Sequence, residues 1–535
     1  VRTRDSKGNR IEKEYVYSPC VYVDPARVSR LERQHFQGVP EESPIDDEQT
    51  FIRELREWKR EEKRVVGWEY DGTLNAKGTS LLRVDFHNQQ ARNRFVRNYT
   101  PLYNSRIKHN EQFCVRPPVE EEEFRSLFES ENPSHILYFD LELLQYRGGV
   151  DLPKYTNSRH GLHSHIIGLN KAGQQEMSMI AVYADWLDRF IGWTQHPRVP
   201  SYSVDALPKE YKGRGEVRIF NDEKELLTDF VSWVQENDPD MLVAWNGDGY
   251  DLPMLWYRLE VTGVKASLMS PYGVYEPPAP WWDEEGNKNI RDSYRQSHQP
   301  IRGRATLDLM PTFVQWWRST KGQDLGKRCS LDRATNDLLK DYISVGKAKD
   351  FQPNFFDKDY DAFIEDYIYY NIMDVDSMVQ IEKYGNIIKL HIGMQDLLQV
   401  PFGSTFNSTR FCGVMFSRSA GFLPEDPVWD RQKVDKYKDV LKKDLSFEGA
   451  EVVDVKKEGN SGIHKNVLAY DAAHMYPANI IGKNISWETA YTPEEDDPNA
   501  VTYDIHVKGD KAKDGSKKVV GYETVAFSTD YKGAL

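Results

Sequence analysis

The chain has 535 residues, of which 39% are hydrophobic and 12% aromatic, and this composition excludes a disordered polypeptide. At roughly 150 residues per domain, the length predicts three to four domains. The 70 basic and 84 acidic residues give a net charge of −14, which excludes a uniformly basic nucleic-acid coat but leaves room for a local basic groove.

The first 134 residues are expected to form a β-rich domain. Alternating segments such as KEYVYSPCVYV predict strands, and FIRELREWKREEKR has the apolar spacing of a solvated amphipathic helix. The segment VRPPVEEEEFRSLF predicts a linker that leads into a short acidic helix, which marks a boundary near residues 115–134.

From residue 135 onwards, apolar strands alternate with helices, which is the pattern of an α/β domain. The strands are predicted at HILYFDLEL, SMIAVY and DMLVAWN, and helices at KELLTDFVSWVQEN and DAFIEDYIYYNIMDVDSMVQIEKYGN. Between them, PYGVYEPPAPWWDEEGNKN is interpreted as a long surface loop. Beyond residue 430 the sequence again becomes rich in predicted strands.

The first candidate site is Asp140 and Glu142, which lie in an apolar strand. Because side chains alternate along a strand, both carboxylates should point to one face, about 6.6–6.8 Å apart. Burying two carboxylates is costly unless they are paired or bind a cation. The alternative is a sheet whose polar face is solvated.

The second candidate site is the segment Trp245–Asp251, directly after the apolar strand MLVAW. Open α/β sheets place ligands at the carboxyl ends of their strands, and here Asn246 and Asp251 bracket a glycine-rich turn. An ordinary surface turn containing Asn-Gly and Asp-Gly is the alternative.

The third candidate site is the pair Tyr370 and Asp374 on the long predicted helix, where positions i and i+4 share a face. Packing of a tyrosine-rich helix is the alternative. Taken together, the three sites contribute four carboxylates, which suit two hard divalent ions. Two ions ~3.5–4 Å apart can activate water and stabilise the leaving 3′ oxygen in phosphodiester hydrolysis.

The order of these motifs resembles the proofreading 3′→5′ exonuclease superfamily, which has an RNase H-like α/β fold, four acidic residues and a tyrosine. The resemblance implies two Mg²⁺ or Mn²⁺ ions and single-stranded DNA as the substrate. It assigns metal binding to Asp140, Glu142, Asp251 and Asp374, orientation of the attacking water to Tyr370, and contacts with the 3′ end to Asn246 and Tyr250.

A second motif, YDAAHMYPANII at residues 470–481, resembles the first palm motif of family B DNA polymerases, DxxSLYPS. His474 and Met475 stand where that motif has Ser-Leu, whereas its Asp and Tyr are present as Asp471 and Tyr476. The resemblance therefore supports the metal-binding and sugar-binding roles more strongly than the phosphate contacts. The resemblance implies Mg²⁺ binding by Asp471, dNTP binding by Asp471, Ala472, Met475 and Tyr476, exclusion of a 2′-hydroxyl by Tyr476, and a template contact at Gly449.

The resemblance is strongest to the tailed-bacteriophage branch of family B, through segments such as NDEKELLTDFVSWV and TLDLMPTFVQWW. The sequence contains neither the second palm aspartate of an Asp-Thr-Asp segment nor the Lys-x₃-Asn-x₂-Tyr-Gly helix of the fingers. We therefore expect a chain that hydrolyses 3′ ends but does not polymerise alone, as part of a larger or split polymerase.

The expected architecture combines α/β and α+β domains. It comprises a β-rich N-terminal domain (1–134), an RNase H-like exonuclease domain (135–386), a helical return segment (387–430) and the first part of the palm, a mixed or antiparallel sheet with helices (431–535). Expected partners are the single-stranded 3′ end, primer-template DNA and dNTP, with a sliding clamp or the remaining polymerase half as further candidates.

The expected location is the cytoplasm of a host cell, for a virus-encoded protein without a membrane partner. We expect no signal peptide, because the first residues given contain no apolar core segment, and no membrane span, because no apolar window is long enough. The four cysteines are far apart in the sequence, which favours a reducing compartment. Two alternatives stay open: an independent exonuclease, or exonuclease subunit of a split polymerase, and a non-catalytic DNA-binding scaffold.

Two further groups are interpreted as non-functional. Arg302 and Arg304 are predicted to be a solvated pair rather than phosphate contacts. His160, His163 and His165 are predicted to be surface histidines rather than a metal cluster, because no matching Cys or Glu set accompanies them.

Overall fold

The structure is a computed structural model, and it describes most of the chain in segments separated by gaps. The described residues are 2–4, 9–15, 17–32, 41–61, 64–105, 107, 109–128, 134–143, 176–195, 202–204, 211, 213–278, 280–282, 288–290, 299–326, 328–344, 360–419, 421–423, 462, 465, 474–486, 489–491, 501–511 and 517–531.

The chain divides into two compact units. The first unit comprises Val1–Glu14 and Glu121–Ser408, and the second comprises Tyr15–Glu120 and Thr409–Leu535. The four domains expected from the sequence, with boundaries at residues 134, 386 and 430, remain a prediction.

A seven-stranded mixed sheet forms the centre of the first unit. Its order is β4-β5-β3-β2-β1-β6-β7, where β2 is antiparallel to both β1 and β3, and β6 is parallel to both β1 and β7. The strands are β1 (Ile136–Leu143), β2 (Met177–Ala184), β3 (Arg189–Gln195), β4 (Tyr202–Val204), β5 (Gly215–Phe220), β6 (Met241–Ala244) and β7 (Ala305–Asp308).

Helices cover both faces of this sheet, so the mixed α/β character predicted from the alternating pattern is confirmed. The long helices are α1 (Glu223–Asn237), α2 (Asp251–Thr262), α3 (Leu309–Lys321), α4 (Tyr360–Gly385) and α5 (Ile387–Leu398). Shorter elements are Glu121–Ser126, Asp185–Leu187, Ala266–Met269, Arg333–Leu338, Phe402–Ser404, the paired strands Arg2–Arg4 and Arg10–Glu12, and the paired strands Pro280–Trp282 and Lys288–Ile290.

Strand β1 divides two hydrophobic cores because its side chains alternate between the faces of the sheet. Leu137, Phe139 and Leu141 pack with α1 and α2 on one face. Ile136 and Tyr138 pack with α3 and α4 on the other face. The polar residues Asp140 and Glu142 continue this second row, so they point towards the face that α4 covers.

Three small antiparallel sheets lie in the second unit, in the orders Cys20–Val23 / Leu82–Phe86 / Val65–Glu69, Glu41–Pro44 / Ser29–Glu32 / Tyr99–Thr100, and Ala490–Tyr491 / Lys517–Phe527 / Thr502–Lys511. Its helices are Glu48–Glu61, Gln89–Val96, His109–Val115 and Met475–Gly482. The helix Ser408–Ser419 begins at the last residue of the first unit. Among the described residues, no helix is long and apolar enough to cross a membrane.

Two interpretations of local sequence were wrong. The tryptophan-containing segment predicted as a loop includes an antiparallel strand pair, Pro280–Trp282 with Lys288–Ile290. Arg304 is buried rather than solvated, because its guanidinium donates hydrogen bonds to the carbonyl oxygen of Met269 (2.8 Å) and to Asp238 Oδ1 (2.8 Å). Its neighbour Arg302 is exposed and pairs with Glu276.

Candidate active site

Asp140 and Glu142 lie towards the carboxyl end of β1, near the middle of the large sheet. They pair with Ala181 and Met179 of β2. Both side chains are partly buried, and α4 packs against the face to which they point. The helix therefore brings a second set of side chains to these carboxylates.

Helix α4 contributes Tyr370 and Asp374, one helical turn apart on the same face. Carboxylate oxygens of Asp140, Glu142 and Asp374 all lie within 4.8 Å of one another. The neighbouring Asn371 is buried, and its Nδ2 donates a hydrogen bond of 2.6 Å to Asp140 Oδ2. Two of the three predicted motifs thus meet at one point.

The third predicted motif forms the turn between β6 and α2, next to β1 in the sheet. Asn246 has a left-handed backbone conformation with φ of 64°, and its carbonyl oxygen accepts the N–H groups of Gly249 (2.9 Å) and Tyr250 (2.8 Å). A Cβ atom on Gly249 would lie 2.5 Å from Asn246 Oδ1, so a larger residue at this position would displace the Asn246 side chain.

Asp251 is the first residue of α2 and is buried, and neither of its carboxylate oxygens makes a hydrogen bond of ordinary geometry. Its charge contributes to the raised pKa values of Asp140 and Glu142. Asp251 is therefore part of the same electrostatic cluster, and its two unpartnered oxygens can accept a cation.

Sequence reasoning missed Asp308, the last residue of β7. Its carboxylate accepts the backbone N–H groups of Asn246 (3.0 Å), Asp248 (3.3 Å) and Met310 (3.1 Å), so it supports the turn and caps α3 at once. The signal in the sequence was an aspartate directly after an apolar strand, at a favourable N-cap position. Asn371 was missed as well.

The four carboxylates bind protons unusually tightly in the absence of a cation. Burial is the main cause that raises the pKa of Asp140 well above its usual range, and the charges of Asp251, Asp374 and Glu142 add to it. Burial also raises the pKa of Glu142 to about 8 and that of Asp374 to about 7. For Asp251, burial and the charge of Asp308 raise the pKa well above its usual range.

The donor set fits a hard divalent cation. All the candidate ligands are carboxylate oxygens, which Mg²⁺ and Mn²⁺ prefer, and the two oxygens of Asp251 make no hydrogen bond of ordinary geometry. Among the described residues, no lysine, arginine or histidine forms a salt bridge with any of the four carboxylates. The cluster thus has the composition of a metal centre.

Comparison with known sequences identifies the region that contains part of this cluster. Residues 114–321 match the DNA polymerase family B, exonuclease domain. The chain carries a family B exonuclease domain. This confirms the resemblance inferred from the motifs. The matched residues include Asp140, Glu142 and Asp251, whereas Tyr370 and Asp374 lie beyond them.

Several DNA polymerases are similar to the chain. It is 23% identical over 300 residues to the DNA-directed DNA polymerase of Enterobacteria phage T4 and 25% identical over 295 residues to that of Escherichia phage RB69. Each match covers 53% of this chain and 28% of the phage protein. A DNA polymerase of Archaeoglobus fulgidus is 22% identical over 286 residues, covering 51% of this chain and 30% of that protein. The chain thus spans less than a third of these relatives.

Two tyrosines adjoin the carboxylates. Burial raises the pKa of Tyr370, to which Asp374 and Glu142 also contribute, and Tyr370 hydrogen-bonds Asp374. Burial likewise raises the pKa of Tyr250, and Glu142 makes the largest contribution among the neighbouring charges. Both phenols are therefore neutral at physiological pH and can donate a hydrogen bond.

The residues of the predicted palm motif lie in a different environment from the exonuclease cluster. Met475 and Tyr476 are at the start of the helix Met475–Gly482 in the second unit and are 48% and 63% exposed. Asp471, Ala472 and Gly449 lie outside the described residues, as do the three histidines His160, His163 and His165.

Proposed function

We propose that the chain is part of a phage-type family B DNA polymerase whose exonuclease domain hydrolyses the 3′-terminal phosphodiester of single-stranded DNA. The observation that carries this proposal is the convergence of carboxylates from β1, α2 and α4, three segments that are far apart in the sequence. The mixed sheet with helices on both faces supports the RNase H-like assignment of the domain.

The proposed roles are those that the family resemblance implies, and the positions of the side chains support them. Asp140, Glu142, Asp251 and Asp374 would hold two Mg²⁺ or Mn²⁺ ions, which when bound supply an activated water and stabilise charge on the leaving 3′ oxygen. The neutral hydroxyl of Tyr370, hydrogen-bonded to Asp374, orients the attacking water.

The turn between β6 and α2 is proposed to position the substrate. Asn246 adopts a left-handed backbone conformation, Gly249 leaves space for the Asn246 side chain, and Asp308 accepts hydrogen bonds from two N–H groups of the turn. In the proposed complex, the Asn246 side chain and the neutral Tyr250 phenol contact the terminal nucleotide. An aromatic side chain can stack on any base, so this contact is tolerant of sequence.

The palm assignment is a further part of the proposal. In this assignment Asp471 binds a metal ion and Gly449 contacts the template. The incoming dNTP is bound by Asp471, Ala472, Met475 and Tyr476. Primer-template DNA, a sliding clamp or the remaining polymerase half are the proposed partners, in the cytoplasm of an infected host cell. The similarity to phage and archaeal DNA polymerases supports this assignment.

The decisive experiment measures degradation of a 5′-labelled single-stranded DNA with Mg²⁺ or Mn²⁺. We expect shortening from the 3′ end, and a loss of about 100-fold or more in the Asp140→Ala/Glu142→Ala double variant. Asp185→Asn is the matched control, because Asp185 is another carboxyl group of this unit, with a pKa raised to about 6 by burial, but it accepts the N–H of Ile136 and lies outside the cluster.

Undiminished nuclease activity of the double variant would overturn the site assignment. An intact chain that is inactive with both ions would instead favour the DNA-binding scaffold. A second control, Asp471→Ala, should leave the nuclease unchanged and abolish only the synthesis that the completed polymerase performs.

A further inference from the structure

Asn371 occupies an unusual position beside the carboxylate cluster. It lies on α4 between Tyr370 and Asp374, its side chain is fully buried, and it has no role in the proposed reaction. Its Nδ2 donates to Asp140 Oδ2 at 2.6 Å, across 231 residues of sequence. Within the described part of the chain, this is the one hydrogen bond that Asp140 receives.

The orientation of the Asn371 amide follows from the chemistry of its partner. Asp140 must be ionised to bind a cation, and an ionised carboxylate only accepts hydrogen bonds, so in that form the amide presents its NH₂ group to Asp140 rather than its oxygen. The amide oxygen Oδ1 is buried and has no hydrogen-bond partner. Leaving the amide oxygen buried without a hydrogen bond costs free energy. This cost indicates that the hydrogen bond to Asp140 contributes more stabilisation than the unpaired oxygen loses.

A neutral donor suits a carboxylate that must bind a cation. A lysine or arginine in this place would hold Asp140 but would also cancel the negative charge that attracts the ion. The amide fixes the side chain and leaves its charge unchanged. One hydrogen bond still leaves acceptor positions on the carboxylate for a metal.

We propose that Asn371 is a positioning residue that orients Asp140 and thereby sets the affinity of the site for divalent cations. The inference rests on the proposed function, because it takes Asp140 as a metal ligand. Partners that orient metal ligands in this way typically contribute 10–100-fold to metal affinity or activity.

The test measures Mn²⁺ binding directly, by titration calorimetry on the full chain without DNA. Asn371→Leu keeps the branched shape of the side chain but removes the donor, and Asn371→Ala removes both. We expect each variant to weaken Mn²⁺ binding by about 10–100-fold, while its metal-free melting temperature stays close to that of the wild type. The Asp140→Ala/Glu142→Ala variant provides the baseline without a site.

Glu382→Gln is the matched control on the same helix. Glu382 is also buried and accepts the N–H groups of Ile388 (2.8 Å) and Lys389 (3.2 Å), two turns beyond Asp374. This variant should lose stability but bind Mn²⁺ like the wild type. A general loosening of α4 would weaken binding in the control as well, and that result would contradict a specific role for Asn371.

The outcomes separate this inference from the proposed function. Folded Asn371→Leu that binds Mn²⁺ within about twofold of the wild type would overturn the role of Asn371, even if the nuclease test succeeded. Unfolding of both variants would overturn it too, because the residue would then be needed for the fold. If the Asn371 variants bind Mn²⁺ more weakly but the wild-type chain has no nuclease activity, the role of Asn371 is supported and the exonuclease function is refuted.

Discussion

Two sets of buried or partly buried carboxylates in the first unit are stabilised in different ways. Glu223, at the start of α1, forms a salt bridge with Arg258 of α2 and also accepts the N–H of Met177 at 2.7 Å; both charged side chains are about 5% exposed. Asp140, Glu142, Asp251 and Asp374 have no cationic partner among the described residues.

The difference separates a structural charge from a functional one. Glu223 is neutralised by a residue of the protein, so the pair connects α1, α2 and β2 without needing a ligand. Among the described residues, the side chains that donate hydrogen bonds to the cluster at β1 are neutral, namely the Asn371 amide and the Tyr370 hydroxyl. A concentration of negative charge that the protein leaves uncompensated is what a divalent cation requires.

The largest effect on stability is expected when the Glu223–Arg258 pair is broken. Arg258→Ala leaves an unpaired buried carboxylate and should lower the free energy of unfolding by about 3–5 kcal/mol. Urea unfolding followed by tryptophan fluorescence measures this loss. Because no metal is involved, Mg²⁺ should not restore it.

The double variant Glu223→Leu/Arg258→Met is the control for that experiment. Replacing both partners of a buried ion pair by apolar residues is often neutral, so most of the stability should return. If the double variant were as unstable as Arg258→Ala, the pair would not be the cause, and the comparison with the metal cluster would fail.

A second effect is expected from titration of the metal-free cluster. The folded protein raises the pKa of Glu142 to about 8 and that of Asp374 to about 7, so between about pH 4 and 8 the folded state binds more protons than the unfolded chain. Stability from this source is therefore complete below the unfolded pKa values and is lost as the pH rises through the folded ones.

Differential scanning calorimetry in EDTA should show this loss as a falling melting temperature between pH 5 and 8. Millimolar Mg²⁺ should oppose the fall at pH 8, because a bound cation favours the ionised carboxylates. In Asp140→Asn/Glu142→Gln, the metal-free melting temperature at pH 8 should be higher than in the wild type and insensitive to Mg²⁺. A steeper fall in this variant than in the wild type would contradict the assignment.

The sequence predicted the elements of this site better than the contacts between them. Periodicity alone placed Asp140 and Glu142 on a strand and Tyr370 with Asp374 on a helix, because those patterns are local. The Asn371–Asp140 and Glu223–Arg258 contacts join residues 231 and 35 positions apart, and no local pattern encodes them. Arg304 was wrongly predicted to be solvated for the same reason. Its partner Asp238 comes from a distant segment of the sequence, so no local pattern indicates the contact.

The smallest effect is expected at an exposed ion pair, which completes the series from buried pair to metal cluster to surface. Arg125 Nε and Glu121 Oε1 are 3.0 Å apart on the helix Glu121–Ser126, and both side chains are more than half exposed. Solvent screens such a pair, so Arg125→Ala should lower the free energy of unfolding by only about 0.3–0.5 kcal/mol, and 0.5 M salt should reduce that loss further.

A double-mutant cycle with Glu121→Ala, measured by urea unfolding at low and high salt, isolates the contribution of the pair. A coupling energy above about 1.5 kcal/mol, or one that salt leaves unchanged, would show that exposure does not rank these charges as the structure predicts.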